Sequence, residues 1–118
     1  MAKLNTKVKL YLEANSKVYT DEKSNYLLRN DSNGTGDYLH SWNVSGLAEP
    51  TAEQLATYES AATTKENNNV IKSTRKAAYG DIGDQLDLLY KDMLADKGDK
   101  SGEWFKSIKA VKDANPKE

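Results

Sequence analysis

Apolar and polar residues alternate near the start of the chain at the two-residue spacing of a β-strand. In residues 7–12, Val8, Leu10 and Leu12 fall on one face, so the pattern predicts a strand. Residues 17–20 are a weaker candidate of the same kind. The first part of the chain is therefore predicted to be rich in β-structure.

Two further alternating segments, residues 25–29 and 37–44, flank a turn sequence that contains an Asn-Gly pair. This pair supplies the positive φ angles that hairpin turns need, so the two segments are predicted to pair antiparallel. One face of the second segment is mainly aromatic and is predicted to be the core side. It carries Tyr38, His40, Trp42 and Val44.

From residue 50 onward helix formers dominate. Thr51 and Gln54 have the spacing of a capping box, in which each side chain binds the backbone amide of the other residue, so a helix is predicted to start there. Helix formers continue from Ala52 to about Ala78. Three consecutive asparagines at residues 67–69 have poor helix propensity and predict a bend or break.

The C-terminal part of the chain predicts two amphipathic helices that form a helical hairpin. Gly80 is placed to end the preceding helix and Asp81 to cap the next one. Gly98 is placed to end that second helix, and Ser101 to cap the last, which Asn-Pro stops at residues 115–116.

Two apolar rows are predicted to pack this hairpin together. The first row is Ile82, Leu86, Leu89 and Met93, and the second is Trp104, Ile108 and Val111. Tyr90 and Phe105 lie beside these rows and are predicted to face a partner.

These elements predict an α+β fold, with a small antiparallel β-hairpin or meander module followed by a long helix and a C-terminal helical hairpin. The predicted boundaries are residues 1–49 for the β-rich module, 50–79 for the connecting helix and 80–118 for the hairpin arm.

Composition narrows the classes of function. The chain has 118 residues, of which 37% are hydrophobic and 30% charged, so it can bury one modest core but no deep pocket. A net charge of −1 gives no electrostatic footprint for nucleic acid. No apolar run approaches the ~20 residues that span a bilayer, and the first residues lack the apolar segment of an export signal. We therefore expect neither a nucleic-acid nor a membrane partner, and synthesis in the cytoplasm.

No constellation of residues predicts catalysis, a metal or a cofactor. There is no cysteine and His40 is the only histidine. Asp31, Asn33 and Thr35 imitate the opening of a calcium loop, but its twelfth position is Trp42 where a bidentate glutamate is needed. The aspartates at 81, 84 and 87 read as residues that offset a helix dipole. We therefore expect the protein not to be an enzyme.

Aromatic residues are numerous for so polar a chain, with seven tyrosines, two tryptophans and one phenylalanine. Aromatic side chains are enriched at interface hot spots, and a small core also uses large side chains, so both interpretations remain open. Tyr38, His40 and Trp42 are a candidate platform for a receptor or partner.

Two parts of the chain resemble small tail-associated proteins of tailed bacteriophages. Residues 26–55, from the first hairpin strand through the aromatic strand to Pro-Thr-x-Glu-Gln-Leu, resemble XkdW-type and tail-fibre-assembly-type proteins. Residues 77–116, with Tyr-x-x-Ile-Gly-Asp-Gln-Leu-Asp-x-Leu-Tyr-x-Asp starting at Tyr79, resemble the C-terminal segment of small tail and fibre proteins, including YorD-like ones. Gly80 departs from that pattern, which more often has proline or serine there.

The resemblance implies a structural or interaction protein of the virion tail that docks onto other tail or fibre proteins and is oligomeric in the assembled particle. It brings no catalytic residues. Three alternatives remain open from the sequence: a transient fibre-assembly chaperone absent from the mature virion, a receptor- or carbohydrate-binding module, and a minor capsid decoration protein.

Overall fold

The computed structural model describes the whole chain and divides it into two compact units, Met1–Glu66 (unit 1) and Asn67–Glu118 (unit 2). Helices dominate, and the two strands form one antiparallel hairpin, so the predicted α+β class is confirmed. In chain order the elements are α1 (Leu4–Ala14), α2 (Tyr19–Glu22), β1 (Tyr26–Arg29), β2 (Tyr38–Trp42), α3 (Ala52–Ala56), α4 (Glu59–Tyr79), α5 (Ile82–Leu94) and α6 (Glu103–Ala114).

The predicted strand at residues 7–12 is wrong, because this segment lies inside α1. Val8, Tyr11 and Leu12 are buried, and Leu4 packs beside them, which is the i, i+4, i+7, i+8 stripe of an amphipathic helix. Leu10, assigned to the core face of the strand, lies outside this cluster. The N-terminal module is therefore not β-rich.

The weaker strand candidate at residues 17–20 is also wrong. Ser16 adopts a left-handed φ of 61° directly after α1, and the Lys17 amide donates to the Leu12 carbonyl at 2.9 Å. This Schellman arrangement ends α1, and Tyr19 then begins the one-turn helix α2. No strand can form where the chain turns so tightly.

The predicted hairpin is confirmed, but a bulge changes its faces. Leu27 pairs with Ser41 and Leu28 pairs with Leu39, so His40 has no partner across the sheet. One extra residue shifts the alternation of β2 by one position. Trp42 and Leu39 therefore lie on the core side, while Tyr38 and His40 are exposed, and the prediction of one continuous aromatic core face is wrong.

All of the fully buried large apolar side chains belong to unit 1, where α1, the hairpin and α3 meet. Trp42 lies against the rings of Tyr11 and Tyr26, at centroid distances of 6.0 and 5.7 Å. The polar ends of these rings are satisfied: Trp42 Nε1 donates to the Leu47 carbonyl at 2.8 Å and the Tyr26 hydroxyl donates to Asn5 Oδ1 at 2.6 Å. Burial raises the pKa of Tyr26 to about 12, so this hydroxyl stays a donor.

The predicted helix start at Thr51 is confirmed, with both hydrogen bonds of the capping box present. The predicted course of the helix is wrong in one respect, because the break falls at residues 57–58 and not at the asparagines, which lie within α4. The Thr57 hydroxyl donates to the Gln54 carbonyl at 2.6 Å and so competes with the helix. Tyr58 meanwhile packs on the core.

Two carboxylates of α4 hold the start of α1. Glu59 accepts the Ala2 amide at 2.6 Å and pairs with Lys7 at 3.0 Å. Glu66 accepts the Thr6 hydroxyl at 2.6 Å and the Lys3 amide at 2.8 Å. Hydrogen bonds from the Ala2 amide and from Lys7 lower the pKa of Glu59, and those from the Thr6 hydroxyl and the Lys3 amide lower the pKa of Glu66.

These pKa shifts predict that unit 1 loses stability in acid. A carboxyl whose pKa is lower folded than unfolded stabilises the fold above its ordinary value, 4.5 here, and this contribution is lost as the pH falls through the folded pKa. We expect the urea concentration at the unfolding midpoint of unit 1 to decrease when the pH is lowered below about 4.5. In the Glu59→Gln/Glu66→Gln variant this decrease should be smaller. Glu13→Gln, which removes only an exposed ion pair with Lys65, is the matched control. An equally steep decline in the double variant would contradict the assignment.

Candidate docking surface of the helical hairpin

The junction between α4 and α5 forms as predicted. Gly80 has a φ of 81°, the left-handed conformation that ends helices and favours glycine. The Asp81 side chain then accepts the Gly83 amide at 2.7 Å and caps α5. The prediction that Gly98 ends α5 is wrong, because Asp96 takes the left-handed φ, 57°, and the Lys97 amide returns to the carbonyl of Asp92 at 2.7 Å.

The prediction that Ser101 caps α6 is also wrong, because a residue of α5 accepts the hydrogen bond at the start of α6. Ser101 turns back to Asp99, whose carboxylate accepts its hydroxyl and amide at 2.6 and 2.9 Å; these two bonds lower the pKa of Asp99. Asp92 Oδ2 instead accepts the Trp104 amide at 2.8 Å. Asp92 is the only buried charged side chain of the protein, and it ties the two helices together.

Gly102 makes this close approach possible. It is the N-cap residue of α6 and is buried. A Cβ at this position would lie 2.2 Å from the Lys97 carbonyl oxygen and 2.7 Å from Asp92 Oδ2. The loop between the helices can therefore close around the carboxylate only with glycine here.

The inward face of α5 differs from the predicted one. Its half-buried or buried side chains follow a helical stripe that includes the capping carboxylate: Gln85, Leu88, Leu89 and Asp92. Of the four residues predicted to pack the hairpin, only Leu89 lies on this stripe. Ile82, Leu86 and Met93 are exposed, so a packing role for them is wrong.

The exposed apolar side chains of α5 form a second stripe, which we call the outer stripe. Each of its members is 59% to 70% exposed. They are Ile82, Leu86, Tyr90, Met93 and Leu94. Unit 2 has no fully buried large apolar side chain of its own, so this surface is large relative to the interior it covers.

The second predicted row lies on one side of α6, where Trp104, Ile108 and Val111 are half-buried. Beside it runs a shallow depression of about 250 Å³, the α6 groove. Its lining is mainly apolar with two lysines at its edge; it comprises Trp104, Phe105, Ile108, Lys109, Lys112 and Asp113. Lys109 is paired with Asp113, and no acidic group pairs with Lys112.

The end of α6 is fixed by a residue of α4. Arg75 Nε donates to the Asn115 carbonyl at 2.8 Å, and its Nη2 donates to the Lys112 carbonyl at 3.4 Å. A guanidinium at these carbonyls satisfies the free C=O groups of the last turn and offsets the helix dipole. The groove is thus carried by a helix held at both ends, by Asp92 and by Arg75.

The second candidate site is only partly assembled. Tyr38 and His40 are exposed and lie edge to face with ring centroids 6.3 Å apart. Trp42 lies on the other side of the bulge, in the core of unit 1. The three side chains therefore do not form one platform.

No three of the His, Asp and Glu side chains lie close enough together to hold a metal ion. None of the helices combines the length and the apolar character needed to cross a bilayer. The hairpin presents exposed apolar side chains on α5 and a mainly apolar groove on α6.

Comparison with known families adds one finding. Residues 14–67 match the family described as XkdW protein. Over this segment the chain is similar to XkdW. The match supports a phage-related protein. No curated protein and no solved structure gives a significant match to the chain.

The matched segment contains all of residues 26–55, so the resemblance of that part to XkdW-type proteins is confirmed. It runs from the end of α1 through the hairpin and α3 into α4, and ends at the boundary of unit 1. Residues 77–116 lie outside it, and the YorD-like resemblance stays a prediction.

The sequence pattern does not predict a role for Asp92 or Gly102, the two residues that hold the hairpin together. The sequence does indicate that Asp92 is unusual, because it falls on the same helical face as Leu88 and Leu89. A carboxylate on an apolar stripe needs a hydrogen-bond partner. Nothing in the sequence names that partner as the backbone of α6.

Proposed function

We propose that this chain is a non-enzymatic structural protein of a bacteriophage virion, a tail or tail-fibre component that docks onto other tail proteins through its helical hairpin. The observation that carries the proposal is that the apolar side chains of unit 2 are more exposed than buried. Five large apolar side chains of α5 are exposed, those of α6 are only half-buried, and no large apolar side chain of the hairpin is fully buried. A surface of this kind is stabilised when a partner covers it.

The α6 groove has the features of a site that accepts part of another protein. Phe105 and Ile108 supply apolar contact area, and Lys112 at the edge supplies a free positive charge. A depression of about 250 Å³ accommodates one or two side chains. These features favour a partner segment that carries an apolar anchor followed by an acidic residue.

The assignment to a phage rests on the XkdW match, and the narrower assignment to the tail rests on the two resemblances. A non-catalytic role is supported by the hairpin, whose polar groups serve as caps. Asp81, Asp92 and Asp99 each accept backbone amides, so their presence is accounted for by the fold.

We expect Phe105→Asp to remove the protein from the assembled particle. Phe105 is the third residue of α6, where an acidic side chain favours the helix dipole, so the helix should persist. The substitution removes the apolar contact area of the phenyl ring, and the partner would have to desolvate a carboxylate in order to bind. We therefore expect incorporation to fall at least about tenfold. The measurement is quantitative mass spectrometry of purified particles.

Ser107→Asp is the matched control, since it adds the same charge on the same helix at an exposed position outside the groove. Circular dichroism shows whether both variants fold. Normal incorporation of a folded Phe105→Asp protein would contradict docking through the groove. Absence of the wild-type chain from purified tails, together with its presence on unassembled fibre proteins, would favour the transient chaperone instead.

The receptor- or carbohydrate-binding alternative rests on the exposed pair of Tyr38 and His40 alone, because Trp42 belongs to the core of unit 1. Two rings that meet edge to face 6.3 Å apart offer little area on which a sugar could stack. The capsid decoration alternative is distinguished by the same fractionation, since such a protein would separate with heads and not with tails.

A further inference from the structure

We infer that the outer stripe of α5 pairs with the outer stripe of a second copy of this chain, antiparallel and about a twofold axis. This surface is separate from the α6 groove, and the inference holds whether or not the groove docks onto a tail protein. It assigns a partner to the most exposed apolar side chains of unit 2.

The first argument is the interior of unit 2. Among its 52 residues, Asn67 to Glu118, only Asp92 and Gly102 are buried, and no large apolar side chain is. Chains of this size are usually marginal on their own, and oligomerisation is a common remedy. Covering the outer stripe would make the half-buried Leu89 beside it part of a continuous interior.

The second argument is area. Taking roughly 200 Å² for a large side chain, the scale at which aromatic residues bury surface, five residues about two-thirds exposed offer on the order of 600 Å² of surface. A stable interface buries about 800 Å² on each partner, of which about two-thirds is apolar in homodimers. The stripe therefore supplies the apolar part of one standard interface.

The third argument is self-complementarity. Consider two antiparallel copies of α5 aligned so that position 88 of one lies level with position 88 of the other. In this register Ile82 lies opposite Leu94 of the second copy, and Leu86 lies opposite its Tyr90. Met93 then lies opposite Gly83 of the second copy, and this glycine has no side chain and lies on the exposed side of the helix. A twofold contact requires one patch to fit itself, and this register does so.

The fourth argument is charge. Asp84 and Asp87 lie in the first half of α5, after its N-cap Asp81, and the only lysine of the helix, Lys91, lies in the second half, 3.2 Å from Asp87 of the same copy. An antiparallel pair places the acidic half of one copy beside the half with the lysine in the other, and opposes the helix dipoles. A parallel pair would place the two acidic halves side by side and align the helix dipoles.

The test is the oligomeric state of the full chain by analytical ultracentrifugation. We expect a dimer, with Leu86→Asp raising the dissociation constant about a hundredfold or more, because the aspartate would be buried in the contact. Val70→Asp is the matched control, since Val70 is as exposed, on α4, and lies off the stripe. It should leave the dimer intact, as should Phe105→Asp.

A wild-type chain that stays monomeric at high concentration would overturn the inference and leave the stripe to a different protein. Equal dissociation by Val70→Asp, or an unchanged dimer with Leu86→Asp, would overturn it too. Phe105→Asp keeps the two proposals apart, since its loss from particles with an intact dimer concerns only the groove.

Disulfide trapping tests the orientation, because the natural chain has no cysteine. Chains carrying Leu86→Cys or Tyr90→Cys alone are mixed and oxidised. We expect disulfides between the two different variants, since positions 86 and 90 lie opposite each other in the antiparallel register. Predominant disulfides between identical variants would contradict that register.

Discussion

Gly102→Ala is expected to unfold the helical hairpin under conditions in which the wild-type hairpin is folded. The new Cβ would lie 2.2 Å from the carbonyl oxygen of Lys97 and 2.7 Å from the carboxylate of Asp92. The first neighbour is backbone, so relief requires the loop to open and the bond from the Trp104 amide to Asp92 to break. We expect a destabilisation on the order of 3 kcal/mol, measured by amide hydrogen exchange in α5 and α6.

Gly98→Ala is the matched control in the same loop. Its Cβ would meet only the flexible side chain of Met93, at 3.4 Å, and Gly98 does not have a left-handed φ. The amide hydrogens of α5 and α6 should exchange at the same rates in this variant as in the wild type. Equal effects of the two alanines would show that the close approach at Gly102 is not what holds the hairpin.

Leu12→Ala is expected to have the largest effect on unit 1. The side chain is fully buried in the cluster with Val8, Tyr11 and Leu55, where truncation leaves a cavity. Loss of a buried leucine costs about 2–5 kcal/mol, so the urea midpoint of unit 1 should fall steeply.

Leu10→Ala separates the observed helix from the predicted strand. A strand through residues 7–12 would place Leu10 and Leu12 on the same buried face and make the two substitutions equally costly. In the helix Leu10 lies outside the core cluster, so its truncation should cost less than half as much. Similar losses for both variants would contradict the assignment of α1.

The features predicted correctly from the sequence are those that nearby residues determine. The capping box at Thr51 and the cap at Asp81 use side chains two or three residues from their targets. The hairpin also follows from its glycine-rich turn, in which Gly34 and Gly36 have left-handed φ angles. Each of these caps and turns is formed entirely by residues that are close together in the sequence.

The pattern at residues 7–12 predicts a strand where α1 forms, because the spacing of Val8 and Leu12 fits both a strand and a helix. A separation of four residues is even, as a strand needs, and is also one helical turn. Tyr11 decides between them, since it lies three residues from Val8 and shares a face with it only in a helix. The bulge at His40 leaves no such trace, because it depends on how two strands align.

The sequence predicts the two helices of the hairpin correctly, but the inner and outer sides of α5 are the reverse of the predicted ones. Both stripes of that helix are apolar enough to be buried, and the choice is made by Asp92, which must point at the start of α6. A contact between residues 92 and 104 is tertiary. The sequence pattern of α5 alone therefore does not reveal that Leu86 faces outward.

The most direct test of docking through the hairpin is site-specific photocrosslinking in assembled particles of the phage that encodes this chain. A photoreactive residue replaces Phe105 in the α6 groove, and in separate chains Ser107 or Tyr38. The account predicts a covalent adduct with a tail or fibre protein from position 105 and none from position 107. Particles that contain the chain but give the adduct only from position 38, or none from position 105, would contradict it.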